Sequence, residues 1–60
     1  MLAKDYIAKM YAEHPGLEEQ VKEVERLYGG SLEHPTLVIR ALLDGMTPAE
    51  VAADDTIMDL

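Results

Sequence analysis

The apolar positions of this chain recur with helical spacing in two stretches and crowd together in a third. Leu2, Tyr6, Ile7, Met10 and Tyr11 fall on one helical face, with Lys4, Asp5, Lys9 and Glu13 on the other. That spacing predicts an amphipathic helix over about residues 2–13. His14-Pro15-Gly16 ends it, because a residue before proline is pushed out of the helical region. Leu17, Val21, Val24 and Tyr28 then recur at i, i+4, i+7 and i+11, with Leu27 beside them, among positions that are almost all charged or amide. This is the clearest periodic signal in the chain and predicts a second amphipathic helix over about 16–28. Glu18 and Lys22 support it in the favourable i, i+4 order, and Gly29-Gly30 closes it.

In the third stretch Leu37, Val38, Ile39, Ala41, Leu42 and Leu43 leave only Thr36, Arg40 and Asp44 polar. A helix over 36–44 that is apolar nearly all round belongs at the centre of the fold. Gly45 stops it. Thr47-Pro48-Ala49-Glu50 matches a capping box with proline at the first helical position, and Met46 and Val51 are placed to form a hydrophobic staple. A short fourth helix is expected over 47–53, with one last turn capped by Asp54-Asp55 and running through Ile57, Met58 and Leu60. The fold class is therefore all-α: a small bundle of three main helices plus a short capped fourth. Helices one and two are expected to form an antiparallel hairpin, with helix 36–44 packed across it.

Residues 37–53 resemble the first two helices of bacterial helix-turn-helix modules, in which a glycine turn precedes Thr/Ser-Pro-x-Glu-hydrophobic-Ala. The matching residues are Gly45, Thr47, Pro48, Glu50, Val51 and Ala52. The resemblance covers under a third of the chain and implies a scaffold that is partly helix-turn-helix-like. It departs where those modules read bases with a following helix rich in Arg, Lys, Gln or Asn, since Asp54 to Leu60 opens on two aspartates. Glu-His-Pro-x-Leu also occurs twice, at 13–17 and 33–37, and each copy reads as a helix entry with proline near the first position.

Sixty residues make one domain, and a chain of that size buries only about 60% of its unfolded surface. Such domains usually compensate with disulfides, metals or association. The absence of cysteine removes disulfides and cysteine-ligated clusters, which leaves oligomerisation or docking onto a partner. The net charge of −7 is uneven, because residues 41–60 carry Asp44, Glu50, Asp54, Asp55 and Asp59 and no Lys or Arg. Phosphate backbones and anionic membranes are bound through clustered cations, so neither nucleic acid nor membrane is an expected direct partner. The acidity is first of all a solubility device. No apolar run approaches the roughly eighteen residues of a membrane span. Met1 to Tyr6 lacks the features of a signal peptide, so a cytoplasmic protein is the expectation.

Candidate chemistry changes this picture little. His14 and His34 adjoin Glu13 and Glu33 but lack the i, i+4 spacing that puts two ligands on one helix face, so no metal site is expected. Ser31 reads as a turn residue with no nucleophile motif around it. A domain this small rarely encloses a substrate pocket, so neither a catalytic residue nor a cofactor is assigned and the chain is not expected to be an enzyme. The surplus of tyrosine and methionine is more telling, since both are enriched at protein interfaces. The expected function is a non-catalytic protein–protein interaction module, a small acidic regulator or accessory subunit. Tyr6, Met10, Tyr11, Val21, Val24 and Tyr28 are its candidate interface, and another protein or a second copy is its partner. The alternatives are an acidic decoy that occupies the nucleic-acid surface of a basic protein, and a vestigial helix-turn-helix DNA-binding module.

Overall fold

The computed structural model describes residues 3–58, which form five helices: α1 Ala3–Glu13, α2 Leu17–Tyr28, α3 Pro35–Leu43, α4 Pro48–Ala52 and α5 Asp55–Met58. Among the described residues there is no strand. Leu2 and Leu60, assigned from the sequence to the first helix and the last turn, lie outside the described residues.

Several helix ends have a local chemical reason. The α3 terminus is a Schellman motif: the Gly45 N–H donates to the Leu42 carbonyl at 3.1 Å and the Met46 N–H to the Ala41 carbonyl at 3.2 Å. That geometry requires a left-handed residue at the turn, and Gly45 supplies it with φ 103°. The α4 capping box forms in both directions. The Thr47 N–H donates to Glu50 Oε1 at 2.9 Å, and the Glu50 N–H donates to Thr47 Oγ1 at 3.2 Å. Asp54 caps α5 by accepting from the Thr56 N–H at 3.0 Å and from the Thr56 hydroxyl.

The two Glu-His-Pro-x-Leu segments fold differently. Pro35 is the first residue of α3, as expected. Pro15 instead precedes α2, because Gly16 follows it at φ 90°, a left-handed conformation that interrupts the helical path. Helix two therefore begins at Leu17 rather than 16.

The core is Leu17, Val21 and Val24 of α2, Val38, Ile39, Ala41 and Leu42 of α3, Val51 of α4 and Met58 of α5. No polar or charged side chain is buried among the described residues. Helix α1 contributes no fully buried residue and lays Tyr6, Ile7, Met10 and Tyr11 against this cluster. Helix α2 packs most extensively on α4, α1 packs chiefly on α3, and α1 and α2 share a lesser contact. Helix α4 and its C-cap offer Ala49, Ala52 and Ala53 around the buried Val51, and small side chains let two helix backbones approach closely. The long apolar stripe of α2 is thus covered mainly by the short capped helix.

The caps make the fold sensitive to two changes. Thr47→Ala removes the hydroxyl acceptor of the capping box and should cost about 1 kcal/mol of stability in urea denaturation. The Glu50 carboxyl is held below its ordinary 4.5 by the Thr47 backbone N–H first and the Thr47 side chain second. The Asp54 carboxyl is held below its ordinary 3.8, chiefly by the Thr56 side chain. Since both values are depressed on folding, the carboxylates stabilise the fold above the ordinary range, and the contribution is lost as pH falls through the depressed values. The stability gap between the wild type and Glu50→Ala should be present at neutral pH and shrink as pH falls below the ordinary carboxylate range.

Candidate interaction surfaces

The six residues expected to form one seam are divided by the fold. Val21 and Val24 point into the core, with Val24 0% exposed, and so present no surface to a partner. Helices α3 and α4 cover that part of the stripe from within the chain. Tyr6, Met10 and Tyr11 are half-buried along α1, packed against the core. Tyr28 stands on the last turn of α2, 41% exposed. The sequence-predicted set therefore supplies one fully surface residue, three partly accessible ones and two that belong to the interior.

Two open grooves flank the exposed apolar side chains. Between α2 and α4, Leu27, Ala49, Ala52 and Ala53 line a depression of about 280 Å³. Leu27 is 45% exposed there, next in sequence to Tyr28. Between α1 and α3, Ala3, Tyr6, Thr36, Leu37 and Arg40 line a larger groove of about 460 Å³. Leu37 and Leu43 of α3 are also among the exposed large apolar residues, although the composition of that helix suggested burial on several sides. One signal in the sequence marks them. Arg40 must face water, and residues three positions either side of it on a helix share its face. Those residues are Leu37 and Leu43.

The charged groups are unevenly neutralised. Arg26 forks onto Glu23, donating from Nε and Nη2 to the two carboxylate oxygens at 2.7 Å each. This bond holds the Glu23 carboxyl below its usual value and raises that of Arg26. Lys22 lies 4.0 Å from Glu18. On α1, burial first, then the Glu18 and Glu25 carboxylates, push the Tyr11 hydroxyl upward, so it remains a neutral donor facing acidic α2. The Arg40 side chain has no hydrogen-bond or ion-pair partner among the described residues.

His14 is exposed beyond the end of α1, and His34 precedes α3 as its N-terminal flanking residue. Among the described residues no group of three or more His, Asp or Glu side chains converges as metal ligands would. Nor is any helix among them long and apolar enough to cross a membrane. No protein-family model matches the chain, and comparison with curated proteins and with solved structures gives no match either.

Proposed function

We propose that this chain is a non-catalytic protein–protein interaction module, a small acidic regulator or accessory subunit. It docks another protein through the end of α2 where that helix meets α4. The observation that carries this reading is the pair Leu27 and Tyr28. Both large side chains stay more than two-fifths exposed, Leu27 at an alanine-lined groove and Tyr28 next to it in sequence, while the core closes without them. Single exposed apolar residues are ordinary, but contiguous apolar surface beside a groove is the usual mark of a contact site. In this reading α3, the Gly45 turn and α4 are a helix-turn-helix-like scaffold in which α4 serves as the floor beneath α2. The setting is cytoplasmic.

The acidic-decoy reading has one observation in its favour, the exposed carboxylates of Asp44, Glu50 and Asp55 on a segment without a base. Salt separates the two. The test is affinity capture from native lysate with the wild type and with Leu27→Ser/Tyr28→Ser, at low and raised ionic strength. A near-stoichiometric partner that survives salt and is lost by the double variant is the expected result. A partner released by salt from both proteins would replace the apolar reading with the decoy, since exposed charges are screened. Circular dichroism of the double variant should match the wild type, because neither side chain belongs to the core.

A further inference from the structure

The α1–α3 groove has a chemistry that the α2–α4 face lacks. Among the described residues its lining combines apolar Ala3, Tyr6 and Leu37 with the Thr36 hydroxyl and one charge, the Arg40 guanidinium. Among the described residues no carboxylate lines it, and Arg40 has no side-chain partner there. The two cations of α2 are paired within that helix, Lys22 with Glu18 and Arg26 with Glu23. Helices α1 and α3 together carry Lys4, Lys9 and Arg40 against Asp5 and Glu13, whereas α2 carries four glutamates against two bases. The groove therefore presents one exposed guanidinium beside apolar side chains on an otherwise acidic protein.

From this complementarity we infer that the α1–α3 groove binds a short segment of another protein that carries one carboxylate beside a leucine-sized apolar side chain. The apolar side chain covers Leu37 and Tyr6, and the carboxylate accepts from Arg40, whose planar fork suits a carboxylate better than a lysine would. The partner segment carries few acids, because a polyanion would meet a domain of net charge −7. The same repulsion disfavours a second copy of this chain. This inference rests on the reading of the chain as an interaction module but not on the Leu27–Tyr28 face.

The test is amide chemical-shift mapping by NMR with four blocked hexapeptides, Gly-Ser-Leu-Asp-Ser-Gly and its Leu-Asn, Ser-Asp and Leu-Lys counterparts, titrated to low-millimolar concentration. The Leu-Asp peptide should shift the amides around Tyr6, Leu37 and Arg40 and bind about fivefold more tightly than the Leu-Asn peptide. Arg40→Gln should abolish that preference and leave residual apolar binding, while Leu37→Ser should weaken both peptides. Leu27→Ser/Tyr28→Ser should leave every one of these responses unchanged, which keeps this groove separable from the α2–α4 face. No shift at the groove, equal binding of Leu-Asp and Leu-Asn, or a preference that persists in Arg40→Gln would overturn the inference. So would groove shifts that appear with rising protein concentration alone, which would make a second copy the occupant.

Discussion

Replacing Val24 by aspartate should unfold this protein. Val24 is completely buried and shares its cluster with Val38, Ile39 and Val51, which are equally inaccessible. The core around it is wholly apolar among the described residues, so a carboxylate there finds no hydrogen-bond partner. Burying a charge without one costs several kcal/mol even after the group neutralises itself by raising its pKa. A sixty-residue domain has roughly 3–9 kcal/mol of stability in total, so the change removes most or all of it. Loss of helical ellipticity at 25 °C and of cooperative thermal unfolding are the readouts. Tyr28→Asp, one helical turn further along α2, should leave both intact, because Tyr28 already meets water. A folded Val24→Asp domain would mean that the apolar stripe of α2 faces outward, against the packing described here. Disrupted assembly in Val24→Asp therefore reports on the fold and carries no information about docking.

The contrast between Val24 and Tyr28 shows what the sequence made legible. Both lie on one stripe with unbroken helical spacing, and periodicity assigns them to the same face. What covers that face is a tertiary matter: α2 is covered mostly by α4, a five-residue helix whose alanines give little periodic signal. The caps were readable because they are local. Thr47 and Glu50 sit three residues apart and form their box, Gly45 closes α3, and Asp54 opens α5. Pro15 and Pro35 mark where local grammar fails, since the residue after each proline decides whether a helix begins there. The surface of α3 was hidden for another reason. Hydrophobic composition suggested burial on several sides without saying which stays open, while a helix in so small a domain still turns one side to water. Arg40 identified that side, and with it the groove that Leu37 and Tyr6 share.

The acidic end of the described chain makes a second large prediction. Helix α5 spans four residues, far too few to be helical on its own, because nucleation of a first turn is unfavourable. It is held by the Asp54 cap and by Met58, which is buried in the core with α2, α3 and α4 side chains. Met58→Ala should therefore cost about 2–4 kcal/mol, the transfer energy of the lost side chain plus the cavity left in the core. In a domain of this size that lowers the melting temperature by roughly 15–30 °C. Met58→Leu conserves most of the volume and should cost less than about 1.5 kcal/mol, so the pair separates packing from chain identity. If α5 were an appendage, Met58→Ala would leave the melting temperature where it is. The outcome bears on function as well. With Met58 locked in the core, Asp54 and Asp55 are fixed on the folded surface, so any basic partner they met would face rigidly placed carboxylates rather than an adaptable acidic tail.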